Sequence, residues 1–262
     1  MFLKKKFPVK TVATNQYEDD RLADGLYSGE EYSHHRYSGR TVERCVYERC
    51  KFSDLRMWRT TISDSRFSDC SLRDAALGGL QNGEINKFHR VTFERTDLRG
   101  TAWSSAEMLD CQFIDCRLDR VDFQGVRFVG CMFVGELREV MFYDHGFGVT
   151  DQPRNEMLNC DFSRAELRLV AFRRLDLPSV VPPLPANGYT VTNYRDFLKT
   201  AISCASEDET KFKKMMQHFL KWAGPRQEQG FFGLTELEDW LGSHWRRRIG
   251  EIQMLASSRA SL

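Results

Sequence analysis

Cysteine and histidine are the residue types here that could ligate a metal or supply a nucleophile, and the chain of 262 residues carries eight and six of them. A metal site needs ligands that converge, so it shows short spacings such as C-x2-C, or paired histidines on one helix face. Neither is present. Cys45/Cys50 and Cys111/Cys116 are five apart, while Cys50/Cys70 and Cys111/Cys131 are twenty apart. His34 and His35 are adjacent, and His89, His145, His218 and His244 are scattered without a partner motif. No glycine-rich phosphate loop precedes a helix; Gly78-Gly79 reads as part of a turn. Trp245-Arg246-Arg247-Arg248 could touch phosphate or an acidic partner, but on a helix the three arginines fan over different faces and read as an ordinary charged surface. Neither catalysis nor a cofactor or metal is expected.

The cysteine spacings belong to a period of five that runs through half of the chain. A bulky apolar residue returns at Tyr47, Phe52, Met57, Ile62, Phe67, Leu72 and Leu77. A second run holds register from Phe88 through Phe93, Leu98, Trp103, Met108, Phe113, Leu118, Phe123 and Phe128 to Phe133. Leu137, Phe142 and Phe147 follow, then Met157, Phe162, Leu167, Phe172 and Leu177. Two positions before each lies a second rank, mostly small or apolar, and Cys45, Cys50, Cys70, Cys111, Cys116, Cys131 and Cys160 all hold such places; Cys204 does not. Five fits neither the helical period nor the strand period of two. A fixed self-similarity of this kind marks a stacked repeat whose units bury their apolar side against neighbours.

The pattern resembles the pentapeptide-repeat family, in which a small residue, Asp or Asn, and Leu or Phe are followed by two variable residues. Thr96-Asp97-Leu98-Arg99-Gly100, Val121-Asp122-Phe123-Gln124-Gly125 and Cys160-Asp161-Phe162-Ser163-Arg164 match it closely, whereas Leu55-Arg56-Met57-Trp58-Arg59 is degenerate. The resemblance implies a mainly β fold, a right-handed quadrilateral β-helix with four pentads to a coil and the bulky and small residues inside. Twenty-five pentads then give a little over six coils. With strands about 4.8 Å apart, the rod is roughly 30 Å long. Phe93, Phe113, Phe123, Phe128, Phe133 and Phe162 should form one buried stack, with the seven ladder cysteines as small core residues rather than reactive thiols. Free inward thiols also fit a reducing compartment.

The register breaks three times. Residues 78–87 and 148–156 read as surface loops, and one residue is missing between Phe133 and Leu137, where a tightened corner is expected. The domains read as an N-terminal arm or frayed first coil over 1–41, the β-helix over 42–177, a Pro-rich linker over 178–189, and an α-helical cap or dimerisation segment over 190–262. In the last of these, Tyr194 to Ile202 carries an apolar stripe, Ser206-Glu207-Asp208-Glu209 opens a helix to Trp222, and Thr235 opens another towards Leu255. No stretch approaches eighteen apolar residues and Met1–Lys10 lacks a signal-peptide core, so a soluble cytoplasmic protein without membrane association is expected.

Function then reduces to binding. The family resemblance implies a protein partner, with DNA gyrase or topoisomerase IV as the specific expectation and antibiotic resistance or self-immunity as the outcome; a scaffold for another regulatory or enzyme partner is the alternative. Some family members imitate duplex DNA and others use protruding loops. Residues 41–177 hold 22 acidic and 20 basic side chains, far from the field of a duplex with one charge per about 1.7 Å, so DNA mimicry and direct nucleic-acid binding are not expected. Candidate contact residues are Asn82, Glu84, Asp151 and Arg154 in the loops. A second set, Leu109, Ile114, Val129, Met132 and Val134, occupies outward positions that should be polar. These apolar residues should stack on adjacent coils and be covered by the C-terminal helices or by a second subunit in a homodimer.

Overall fold

The computed structural model describes residues 21–33, 36–81, 84–145 and 154–259. Short strands, most of three residues, wind into a solenoid with four sides, each pairing in parallel with the coil below. Side one stacks Leu22, Val42, Ile62, Phe88, Met108, Phe128 and Met157. Side two stacks Tyr27, Tyr47, Phe67, Phe93, Phe113, Phe133 and Phe162 in a sheet of seven strands. Side three runs from Tyr32 through Phe52, Leu72, Leu98, Leu118 and Leu137 to Leu167. Side four runs from Tyr37 through Met57, Leu77, Trp103, Phe123 and Phe142 to Phe172.

Among the described residues the first strand of the solenoid is Arg21–Ala23. Tyr27, Tyr32 and Tyr37 are buried on the coil above them even though Glu30 and Arg40 stand in the small rank. Glu30 is exposed, so its carboxylate stands in that rank without a desolvation cost.

Geometry divides the expected single phenylalanine stack. All six rings are buried, but only Phe93, Phe113, Phe133 and Phe162 lie face to face, with centroids 4.6 to 5.3 Å apart. Phe128 and Phe123 belong to sides one and four and meet each other edge-on at 84°. Flat rings therefore stack along a side while sides meet at edges, which is the pairing that the ring quadrupole favours.

The small rank is chemically selective as well as small. Its thiols and hydroxyls donate to carbonyls one coil below: Cys111 Sγ to Phe88 O at 3.2 Å, Cys116 Sγ to Phe93 O at 3.2 Å and Thr96 Oγ1 to Phe67 O at 3.0 Å. All eight cysteines are free, and only Cys204 is not buried. Burial pushes the Cys116 thiol up to about 12 and raises that of Cys131 as well.

Strand pairing carries the stem of the first interruption and the step after Phe133. Leu80–Gln81 pairs antiparallel with the start of Glu84–His89, so the first is a hairpin. The four-residue step from Phe133 to Leu137 lies within one unbroken strand, Met132–Arg138, and is absorbed by a register shift against Asp161–Arg168. Gly135, at φ 91°, makes the bend that other residue types resist.

The proline-rich stretch does not hang free: Val181 pairs with Asp161, and Leu184 N donates to Ser163 O. It lies on side two as a partial further layer. A compact segment follows, with a two-stranded antiparallel pair, Tyr189–Thr192 with Gln229–Phe232, and four helices. These are α1 (Tyr194–Cys204), α2 (Thr210–Trp222), α3 (Leu234–Leu241) and α4 (Trp245–Arg259). Ser206 and Glu209 form the capping box before α2. The last expected helix is broken because Gly242 adopts φ 71°, which ends α3 and leaves one 3-10 turn before α4. The segment sits on the open end of the solenoid. Phe231 joins the rod core and meets Phe172 edge-on at 5.5 Å, and the Glu236 carboxylate accepts the Leu169 N–H. Gln229 Nε2 donates to the carbonyls of Leu177 and Val180. A stack with apolar ends requires such a lid.

Two outcomes test this interior. Phe113→Ala should lower unfolding stability by about 3–5 kcal/mol in denaturant titration, since rings above and below hold the cavity open. A maleimide added to the native protein should label Cys204 quickly and the seven ladder thiols only after unfolding, as counted by intact mass.

Candidate interaction surface

Both chain excursions leave the rod from the same edge. The first departs after Leu77 on side four and returns to Phe88 on side one; the second departs after Phe142 and returns to Met157. They are three coils apart along this edge, roughly 14 Å at the strand spacing.

A buried asparagine closes each excursion. Asn86 and Asn155 stand in the small rank two residues before Phe88 and Met157, in the column where Thr60, Ala106 and Val126 are the other buried members. Asn86 Nδ2 donates to the Met57 and Leu77 carbonyls at 2.9 Å, and its Oδ1 accepts Thr60 N at 2.9 Å. Asn155 Oδ1 accepts the N–H of Phe128 and of Met157, while Nδ2 donates to Tyr143 O. An amide both donates and accepts, so one side chain satisfies backbone groups that the interrupted turn leaves over. The sequence signal was present: an asparagine in core phase after each break.

Of the loop residues singled out from sequence, Glu84 is exposed and pairs with Arg59, and Arg154 is exposed. Asn82 and Asp151 lie outside the described residues. The stem of the second excursion is tied to the helical segment. Arg173 stands over the Tyr143 ring at 5.2 Å and the Trp222 ring at 4.7 Å, and donates to Tyr143 Oη at 3.2 Å. Arg174 N donates to Trp222 O. Sequence reasoning missed this clamp because Arg173 and Trp222 lie 49 positions apart in different periodicities.

The apolar set also comes together. Leu109 pairs in register with Val129 and Ile114 with Val134; Met132 lies over Gln112. Val129 continues to Leu158 on the coil above. All six apolar side chains are half-buried. The C-terminal helices are seated elsewhere: α3 contacts strand Asp161–Arg168 and α2 contacts strand Ala171–Arg173.

Electrostatics on the corners of the rod follow a rule that the net charge conceals. Two residues after most core residues the backbone turns through positive φ, as at Arg44, Asp64, Arg90 and Asp110 on one corner and Arg49, Asp69, Arg95 and Asp115 on the next. Down each corner the signs alternate. Arg44 forks onto Asp24, Arg90 onto Asp64 and Arg95 onto Asp69, each with a second contact at 2.9 Å. These hydrogen bonds hold the three aspartates below the usual carboxylate value. Because the folded carboxylates titrate lower than unfolded ones, the ladders favour the rod above the ordinary aspartate value of 3.8 and lose that contribution as the pH falls through the lowered values. Alternation also cancels the field at a distance, so the rod presents no continuous acidic surface.

No group of three or more His, Cys, Asp or Glu among the described residues could hold a metal ion, and no described helix is long and apolar enough to cross a membrane. The pentapeptide-repeat family matches residues 87–125, in eight copies. Among solved structures, the chain is similar to QnrB1, a plasmid-mediated fluoroquinolone resistance protein, at 16% identity over 61% of this chain and 90% of that one, with a TM-score of 0.30. HetL of the cyanobacterium Nostoc sp. strain PCC 7120, a pentapeptide-repeat protein involved in heterocyst differentiation regulation, aligns at 10% identity over 63% and 88% with a TM-score of 0.36. Rfr23 of the cyanobacterium Cyanothece 51142 aligns at 9% over 62% and 86%, with a TM-score of 0.27. No curated protein matches the chain.

The ladder rule has a direct test. Asp64→Arg would stack three arginines, Arg44, the new residue and Arg90, on one corner. The melting temperature should fall, and most of the loss should return in about 1 M NaCl, where the Debye length is near 3 Å.

Proposed function

We propose that this pentapeptide-repeat protein is a binding rod whose specificity lies on the edge from which both excursions project, and that its target is DNA gyrase or topoisomerase IV. The observation that carries the binding reading is the common edge. A uniform solenoid offers the same surface at every coil, so recognition needs departures from it. Here two departures share one edge, and Asn86 and Asn155 fix each at its return.

The choice of target rests on the resemblance of the repeat, and the charge pattern supports one of two ways of reaching it. Alternating corners do not reproduce a polyanion, so contact through the excursions is the route that fits. Protection of the enzyme from a drug or toxin would then give resistance or self-immunity.

The test is a gyrase supercoiling assay in which the protein is titrated with and without ciprofloxacin. Protection should appear in the parent and be lost in variants with the segment 80–85 or 146–153 shortened, each checked for folding by circular dichroism. If the shortened proteins protect as well as the parent, the excursions are not the contact. If the parent neither protects nor inhibits either topoisomerase, the target is wrong, and a scaffold for another regulatory or enzyme partner is the reading to pursue.

A further inference from the structure

Coil six differs from the rest of the rod on side two. Between Val129 and Gly135 every outward residue is uncharged, and both flanking corners there are glycines, Gly130 and Gly135, where the coil below has Asp110 and Asp115. The alternating ladders therefore end on two carboxylates. Neither aspartate is in an ion pair among the described residues. Each leans on its glycine: a Cβ on Gly130 would meet Asp110 Oδ1 at 2.2 Å, and one on Gly135 would meet Asp115 Oδ1 at 2.5 Å. Above the band, Arg164 pairs in register with Val134, is exposed, and reaches across to Met132 Sδ at 2.8 Å. No described carboxylate pairs with it. The band is thus apolar in the middle and acidic below; above it stand Asp161, over Met132 and holding the Ser163 N–H, and the cationic Arg164 at the far corner.

We propose that side two at coil six is where a second copy of this chain packs, with the two rods antiparallel. A two-fold axis lying in this face across coil six sets each column against itself and reverses the order of coils. Met132 and Val134 then meet their own counterparts. Arg164 of one copy comes over Ile114, beside Asp115 of the other, and Asn159 comes opposite Asp110. Both unpaired aspartates gain a donor, and the half-exposed apolar residues lose their water. A parallel arrangement in register sets Asp115 against like charge or leaves it open, and an all-basic partner brings a cation against Arg164. The second copy is the occupant that sets a cation beside Asp115 and an amide donor opposite Asp110. The contact is small, since a three-residue strand is about 10 Å long and three coils about 14 Å, well under the ~800 Å² per partner of a standard interface, so the dimer is weak and dependent on concentration.

Sedimentation velocity across a concentration series tests this. The parent should shift reversibly from monomer to dimer. Arg164→Glu, which sets a carboxylate against Asp115, should weaken dimerisation at least tenfold, and adding Asp115→Arg to it should restore most of the loss. Arginine suits this left-handed corner, as Arg90 and Arg95 show one coil below. Met132→Glu, in the middle of the band, should abolish the dimer with unchanged circular dichroism, and it serves in place of the swap if Asp115→Arg does not fold. A parent that stays monomeric throughout, a dimer indifferent to Arg164→Glu and Met132→Glu, or a folded double variant without recovery would each overturn the proposal.

Discussion

Every side chain of the solenoid sits directly over the residue one coil below, at the spacing of neighbouring strands. This in-register stacking decides what each position tolerates. Flat rings benefit from it, and seven lie over one another on side two from Tyr27 to Phe162. Thiols and hydroxyls benefit too, because a carbonyl of the coil below is always within reach. Charges do not, since a like charge would recur at every step. The two corners that flank side two resolve this by alternating Asp with Arg, both in a left-handed conformation that a non-glycine residue adopts only at some cost.

The core was legible in the sequence because a single constraint, the period of five, is repeated often enough to outweigh the degenerate units. Phe93, Phe113 and Phe133 could be placed from their spacing alone. The assignment of six phenylalanines to one stack failed for a simple reason: the period places a residue on some side, and counting in fours is needed to say which. The corner ladders were equally present in the sequence, with Asp64, Arg90 and Asp110 aligned once the hairpin is removed, but net charge hides a pattern whose members cancel. The C-terminal segment was only partly legible. Helical periodicity located α1 and α2, whereas the break at Gly242 and the docking of Phe231 and Glu236 depend on tertiary contacts that no local pattern records.

The candidate surface shows the same division. Leu109, Ile114, Val129, Met132 and Val134 announced themselves by being apolar at outward phase, and they do adjoin one another. What covers them was not legible, since the helices that follow in sequence are held at the end of the rod by Phe172, Leu169 and Arg173. The clamp of Arg173 between Tyr143 and Trp222 also joins the second excursion to the helical lid. Burial and the nearby Arg173 and Lys221 lower the pKa of His218 at that junction, so the imidazole is mostly neutral there at pH 7 and adds no further cation.

Asn86 and Asn155 have a consequence for how such a chain can change. Each restores the coil by bonding to backbone of the coil below and of the departing chain, Asn86 at Leu77 and Asn155 at Tyr143, one residue past Phe142, so the bonds lie at the stems and not at the tips of the excursions. The rod is thereby indifferent to the length of chain inserted at these two seams. Elsewhere a single added residue shifts every later side chain out of its column. At the seams, segments of any length can be exchanged while the frame downstream is kept, so new recognition can be grafted at fixed points along one edge without renegotiating the core.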